Sequence, residues 1–96
     1  MAHKIIWAPS AEKDLNEAYS NLFQKNPDFA IRWVDKLTYK IELLQRFPEM
    51  GAMIDEFNIS FIREIYNEPY KLAYLVVNEE IRILKIVRLG SQFQKL

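Results

Sequence analysis

The sequence predicts an α+β fold in which an antiparallel helical hairpin packs against one face of a β-sheet. Between residues 11 and 47, apolar side chains recur every three or four positions, which is the spacing of one face of an α-helix. From residue 59 onward they recur at every second position, which is the spacing of one face of a β-strand. A short β-favouring run, Lys4–Trp7, comes before the helices and predicts a first strand. Helices grouped apart from the main run of strands are typical of α+β domains.

Two proline-containing junctions bound the predicted helices. The first helix is predicted over about 11–24, with Ser10 as its N-cap. The second begins at 26–28, Asn-Pro-Asp, because Asn caps helices well and Pro at the first helical position has a preset φ. It must end by Phe47, since Pro48 disfavours helical geometry in the residue before it. So short a connection between two helices makes them an antiparallel hairpin.

Three further strands are predicted after the hairpin, and tight turns join them into an antiparallel meander in one sheet. The predicted strands are Ile59–Tyr66, Tyr70–Val77 and Ile81–Leu89. Nearly every residue of the middle strand is apolar, which predicts a central position in the sheet. Strict alternation along the third strand would place its odd-numbered residues on one face and its even-numbered residues on the other. Residues 49–51 are predicted as a turn, and the segment from there to residue 58 shows no clear period.

The composition predicts a single domain, residues 1–96, that works without a cofactor. Because 13 Lys and Arg balance 13 Asp and Glu, a role in coating nucleic acid is disfavoured. The absence of Cys and the single His3 exclude thiolate chemistry and predict no metal site. The longest apolar run, Leu72–Val77, is far shorter than the ~20 residues that cross a bilayer, and no secretory signal is visible. We therefore expect a soluble, cytoplasmic protein with no membrane partner.

The neutral total is a cancellation between two parts of the chain. Glu49–Glu80 contains two cations and seven acids, a net charge of −5. Ile81–Leu96 contains four cations and no acid, a net charge of +4. Neighbouring segments of opposite charge make a dipolar surface that can orient one partner. The C-terminal strand and tail are therefore predicted to engage a target, with the contacts assigned to Arg82, Lys85, Arg88 and Phe93.

Five segments, in this order and at this spacing, are similar to those of a known family. They are WAPSAEKDL at 7–15, RFPEMG at 46–51, FIREI at 61–65, YKLAY at 70–74 and ILKIV at 83–87. Over about residues 4–92 the sequence resembles the RelE/ParE toxin superfamily of bacterial type II toxin–antitoxin modules. The resemblance implies a small toxin that a cognate antitoxin neutralises by wrapping around it. It also implies a toxin–antitoxin hetero-oligomer as the assembly.

Two activities occur in this family, and the sequence is closer to the members with the second. RelE-like members cleave mRNA on the ribosome with basic side chains and often a late Tyr. ParE-like members have a longer hairpin, lack that nuclease set and poison DNA gyrase. Within residues 87–93 only Arg88 is basic, and no Tyr follows Tyr74. Acid–base cleavage of RNA needs a group that exchanges a proton near its own pKa, and none is evident here. The resemblance therefore implies a ParE-like inhibitor of DNA gyrase that acts by binding a protein; if the chain is an enzyme, an endoribonuclease is expected.

Two alternatives stay open. The first is a ribosome-dependent mRNA endoribonuclease in which Arg63, Lys71 and Arg88 hold the scissile phosphate. Under the gyrase interpretation Arg63 is instead one of the target-binding residues. A purely structural interpretation pairs Arg63 with a carboxylate and leaves the end of Lys71 in water. The second alternative is a non-toxic structural relative with neither activity.

The aromatic residues predict a surface for the antitoxin. Six Phe, five Tyr and two Trp are more than the core-facing positions of so small a domain can hold. Exposed aromatic side chains are favoured anchors in protein interfaces. The predicted antitoxin-binding residues are Phe29, Trp33, Tyr66 and Tyr74. The structural alternative is that such residues cover the ends of the core.

Overall fold

The computed structural model describes residues 2–54 and 62–93 and confirms the α+β class. Its elements are β1 Lys4–Trp7, α1 Pro9–Lys25, α2 Pro27–Arg46, β2 Ala52–Met53, β3 Ile62–Asn67, β4 Tyr70–Val77 and β5 Glu80–Arg88. The strands form one sheet in the order β1–β5–β4–β3–β2. β1 is parallel to β5, and the other neighbouring strands are antiparallel. Neither helix within 2–54 and 62–93 is long and apolar enough to cross a membrane.

The helical hairpin turns at a single residue, Asn26, which caps both helices. The N–H of Phe29 donates to Asn26 Oδ1 at 3.1 Å, which confirms the predicted cap of α2. The predicted start of α1 is wrong by two residues, because the helix begins at Pro9 and Ser10 lies inside it. Pro9 has the φ that the first helical position needs, so the helix begins there and no side chain caps it.

The strand β2 was not predicted, and it changes one edge of the sheet. Ala52 lies opposite Glu64 and Met53 opposite Arg63, so β2 extends the sheet beyond β3. Two residues are too few to show a period, which is why the sequence pattern gave no signal for them. The first part of the predicted strand, 59–61, lies outside the described residues; β3 ends at Asn67, one residue later than predicted.

Apolar side chains are buried on both faces of the sheet. The main core lies under the helices, and its fully buried members include Leu44, Leu72, Tyr74, Ile81 and Ile83. A smaller cluster on the opposite face, the second cluster, consists of Ile54, Ile62, Ala73 and Phe93. Because Phe93 follows β5, the chain folds back across this face after Gly90. Gly90 makes that reversal with φ +91°, a conformation that side chains rarely allow.

A β-bulge in β5 reverses the predicted faces of its second half. Tyr74 pairs with Ile83, but Ala73 pairs with Lys85, so Leu84 is an extra residue. After the bulge, Ile86 lies in the main core together with Ile83. Leu84 packs instead against the second cluster. Strict alternation along this strand was therefore a wrong prediction.

Side chains of helix α1 form hydrogen bonds with backbone groups at the bulge. Ser10 Oγ donates to the carbonyl oxygen of Leu84 at 3.1 Å. The N–H of Ile86 donates to Asp14 Oδ2 at 3.0 Å, and Lys85 Nζ lies 3.3 Å from the same oxygen. Through these bonds the start of α1 and the bulge hold each other in place.

Candidate functional site

Arg63, a candidate for both target binding and catalysis, holds the turn that follows α2. Its Nη1 donates to the carbonyl oxygens of Gly51 at 2.8 Å and of Glu49 at 3.3 Å. The predicted pairing of Arg63 with a carboxylate is therefore wrong, because backbone carbonyls take its guanidinium. The side chain is half-buried and serves the turn at 48–51.

Tyr74 fixes the same turn from inside the core. Its hydroxyl donates to the carbonyl oxygen of Pro48 at 2.7 Å and accepts from the N–H of Gly51 at 2.9 Å. A Cβ at position 51 would lie 2.6 Å from that hydroxyl oxygen, so only glycine fits there. Burial raises the pKa of Tyr74 above its usual value of 10.0, with the bond from Gly51 and the charge of Arg63 opposing the shift. The hydroxyl therefore stays protonated and keeps both hydrogen bonds.

Lys71 lies on the opposite face of the sheet, against the second cluster. Its Nζ is 3.8 Å from Glu64 Oε1, and both side chains are only 13% exposed. The same ammonium lies 4.7 Å from the centre of the Phe93 ring. The expectation that Lys71 ends in water is therefore wrong. Phe93 is itself 1% exposed, so it contacts the fold and not the solvent.

The three basic side chains of β5 differ in whether a neighbouring carboxylate already pairs with them. Arg82 bonds to Glu80 at 3.0 to 3.1 Å, and Lys85 pairs with Asp14. Arg88 is exposed, and its guanidinium lies 5.5 Å from the centre of the Tyr70 ring. Within residues 2–54 and 62–93, Arg88 has neither an ion-pair partner nor a side-chain hydrogen bond. Among the basic residues of β5, Arg88 is therefore the most available to a partner.

The proposed nuclease cations do not converge on one point. Arg63 lies opposite Tyr74 in the β3–β4 pair and so shares the face of the main core. Lys71 alternates with Leu72 and Tyr74 and lies on the other face. Cations that hold one scissile phosphate must reach the same oxygen atoms. In the described fold, the body of the sheet separates Arg63 from Lys71.

Two of the four predicted antitoxin-binding residues are buried. Trp33 is 3% exposed; its Nε1 donates to the carbonyl oxygen of Asn67 at 2.9 Å, and Asn67 Nδ2 donates back to the carbonyl oxygen of Trp33 at 3.0 Å. Tyr74 has no exposed surface at all. The expectation that these two side chains are exposed is wrong, and for them the alternative of core positions is correct. Helix α2 turns Trp33 toward the sheet, where its ring and the Tyr70 ring form a T-shaped pair with centres 5.5 Å apart.

The other two predicted residues are exposed but lie apart. Phe29 is 37% and Tyr66 is 54% exposed. Lys40 Nζ donates to the carbonyl oxygen of Tyr66, so Tyr66 lies beside the second half of α2. Phe29 lies on the same helix eleven residues before Lys40, which is ~16 Å along the helix axis at 1.5 Å per residue. Phe29 and Tyr66 therefore belong to different surfaces.

An apolar groove, here called the α2–β3 groove, was not predicted from the sequence. It has a volume of about 480 Å³ and is lined by Lys36, Tyr39, Lys40, Leu43, Met50, Gly51, Ala52, Glu64, Ile65 and Tyr66. Three large side chains of its lining remain open to solvent: Tyr39 is 60%, Met50 43% and Tyr66 54% exposed. Tyr39 lies off the buried stripe of α2, and that was the only hint in the sequence. The opposite wall depends on β2 and on the turn that Arg63 and Tyr74 hold, which the sequence pattern does not show.

The fold and the family agree. A strand, a helical hairpin and a sheet completed by a meander define a RelE/ParE-like toxin fold. The family model for the ParE toxin of the type II toxin–antitoxin system, parDE, matches residues 5–96. The chain therefore belongs to the ParE toxin family. This confirms the predicted resemblance to the RelE/ParE superfamily and to its ParE-like members.

One solved structure is consistent with this assignment at the level of the fold. A chain of the chromosomal ParDE TA system from P. aeruginosa superposes with a TM-score of 0.72 at 24% identity. The match covers 91% of this chain and 96% of that one. The solution structure of a conserved hypothetical protein from Helicobacter pylori is more distant, with a TM-score of 0.49, 20% identity and coverage of 95% and 99%. No curated protein matches the sequence significantly.

Proposed function

We propose that this ParE-type toxin binds and inhibits DNA gyrase and that a cognate antitoxin neutralises it. The observation that supports a binding mechanism over RNA cleavage is the placement of Arg63 and Lys71 on opposite faces of the sheet. Each is engaged by protein groups, Arg63 by backbone carbonyls and Lys71 by Glu64. A site that cleaves RNA needs cations gathered on one phosphate. Gyrase as the target follows from the family resemblance.

Arg88 is the residue that best supports a target contact on β5. It is exposed, and no carboxylate among the described residues lies within ion-pair distance of it. Glu80 and Asp14 offset much of the charge of Arg82 and Lys85 at short range. Phe93 is itself buried in the second cluster and Arg63 holds the turn at 48–51, so we expect both to act indirectly. We therefore rank Arg88 first among the predicted target-binding residues.

Of the four residues predicted to bind the antitoxin, only the exposed ones can contact it directly. Phe29 and Tyr66 remain available, whereas Trp33 and Tyr74 are core residues. Two separated contact points suit an antitoxin that wraps around the toxin in a hetero-oligomer. Because gyrase acts on DNA in the bacterial cytoplasm, the proposal also places the toxin there.

A supercoiling assay tests the proposed activity. Purified protein is titrated into DNA gyrase with relaxed plasmid and ATP, and the products are separated on a gel. We expect loss of supercoiling together with trapped, cleaved DNA. Gyrase that stays fully active at high molar excess of the protein, without cleaved DNA, would refute the proposal. Codon-position cuts in a cell-free translation reaction, absent for Arg63→Ala, would instead establish the nuclease alternative.

A further inference from the structure

The α2–β3 groove has the properties of a site for a peptide side chain. Its volume of about 480 Å³ lies within the ~300–1,000 Å³ typical of ligand pockets. Leu43 of α2 and Ile65 of β3 line it, and so do Tyr39 of α2 and Met50 of the turn after α2, both with large exposed fractions. Tyr is a frequent anchor in interfaces, and Met adapts its shape to a partner. A cluster of exposed apolar side chains around one depression indicates an interaction site.

The rim of the groove is positively charged. Lys36 and Lys40 lie one helical turn apart on α2, and both line the groove. Burial lowers the pKa of Lys40, and the like charge of Lys36 lowers it further, while Glu68 opposes both effects. Among residues 2–54 and 62–93, no carboxylate lies within 4.0 Å of either ammonium. Glu64 also lines the groove, but its carboxylate belongs to the pair with Lys71.

These charges favour an acidic occupant. A carboxylate beside Lys36 and Lys40 would offset their mutual repulsion, which like charges at i and i+4 always carry. A second copy of this chain fits poorly, because a two-fold dimer across the groove would bring the same lysines of both copies together. An apolar floor with a basic rim therefore matches an acidic amphipathic peptide.

We propose that the α2–β3 groove binds an acidic amphipathic segment of the cognate antitoxin. One apolar or aromatic side chain of that segment enters between Tyr39 and Met50. Carboxylates about 6 Å apart, as at i and i+4 of a helix or i and i+2 of a strand, contact Lys36 and Lys40. The inference rests on the proposed function only in requiring that an antitoxin exists. It assigns to the groove a role that neither Phe29 nor the basic strand β5 provides.

Binding of the protein encoded by the adjacent reading frame tests this assignment by calorimetric titration. Tyr39→Ala should weaken the affinity about tenfold or more, as truncation of an interface anchor does. Lys36→Glu should weaken it about fivefold or more, because it turns attraction into like-charge repulsion at the rim. The matched controls on α1 are Phe23→Ala, a 43% exposed aromatic residue, and Lys13→Glu, an exposed lysine. Both controls should bind within twofold of wild type.

Hydrogen exchange of the wild-type toxin, with and without the same partner, gives a second readout that needs no variant. We expect protection at 36–43, 50–52 and 64–66, and no change at 16–24 on α1. Tight binding by Tyr39→Ala and Lys36→Glu, or protection confined to other segments, would overturn the groove assignment. Failure of the wild-type toxin to bind the adjacent-frame protein at all would instead refute the antitoxin part of the proposed function. Variants that lose gyrase inhibition but keep full antitoxin affinity would assign the groove to the target and overturn this inference.

Discussion

Replacing Tyr74 by Phe removes one oxygen atom and with it two hydrogen bonds that fix the turn at 48–51. The carbonyl oxygen of Pro48 loses its donor, and the N–H of Gly51 loses its acceptor. The ring itself can stay where it is, because Phe has the same shape. The substitution therefore isolates the contribution of the hydroxyl to the structure that forms one wall of the α2–β3 groove.

The expected loss of stability follows from the burial of these groups. A hydrogen bond contributes ~0.5–1.5 kcal/mol net, and a buried group left without a partner costs ~1–3 kcal/mol. The Gly51 bond is buried and the Pro48 bond is partly buried, so a total of ~2 kcal/mol is expected. For a chain of 96 residues, 1 kcal/mol corresponds to ~4–8 °C in the melting temperature. Tyr74→Phe should therefore melt roughly 10 °C below wild type.

Thermal and urea denaturation followed by circular dichroism measure this loss. Tyr39→Phe is the matched control. Tyr39 is 60% exposed, so the loss of its hydroxyl should change the free energy of unfolding by less than ~0.5 kcal/mol. A Tyr74→Phe variant that melts within about 2 °C of wild type would show that the hydroxyl does not fix the turn, since 2 °C is under ~0.5 kcal/mol here.

Three further predictions concern pH, the bulge and the basic strand. Because the folded chain holds the Tyr74 proton more tightly than the unfolded chain, the unfolding free energy should fall as pH rises above about 10. Urea titrations at several alkaline pH values should show a smaller fall for Tyr74→Phe, and an equal fall would contradict the raised pKa. Asp14→Ala should destabilise the fold by ~2 kcal/mol because it removes the acceptor of the Ile86 N–H and the partner of Lys85, whereas exposed Glu17→Ala should not. Arg88→Ala should weaken gyrase inhibition about fivefold at unchanged melting temperature, and full inhibition by the variant would remove Arg88 from the target contact.

Local signals explain which parts of the fold the sequence predicts well. The cap at Asn26 depends on three adjacent residues, so its side chain and the following Pro could be recognised directly. The apolar spacing of α2 likewise predicts four of its five buried residues, Ala30, Leu37, Ile41 and Leu44, but not Trp33. The first turn of α1 was less clear, because both Pro9 and Ser10 suit a helix start; Pro9 took that position, and Ser10 bonds to Leu84 instead.

Long-range features could not be read from the sequence. The bulge at Leu84 depends on the register between β4 and β5 and on the acceptor that Asp14 supplies from α1. Trp33 was expected at the surface, but the position of α2 over the sheet buries it beside Asn67. These features follow from how separate elements meet, which no single segment records.

In the candidate site, too, the sequence predicts which residues matter but not which groups they contact. The family resemblance singled out Arg63 and Lys71 as candidate phosphate-binding residues. Their actual partners are backbone carbonyls of a turn and a carboxylate across the β3–β4 pair. Charge and spacing alone cannot distinguish such partners from an RNA phosphate. The α2–β3 groove could not be predicted because its lining comes from α2, the turn after it, β2 and β3.

Plasmid topology in cells that express the toxin tests the central claim most directly. Plasmid DNA and total RNA are taken from the same culture shortly after induction, before growth stops. Inhibition of gyrase predicts relaxed and partly cleaved plasmid together with intact mRNA, and co-expression of the adjacent reading frame should restore supercoiling. Fully supercoiled plasmid in cells whose mRNA is cut within codons would contradict the account, as would normal growth with normal topology.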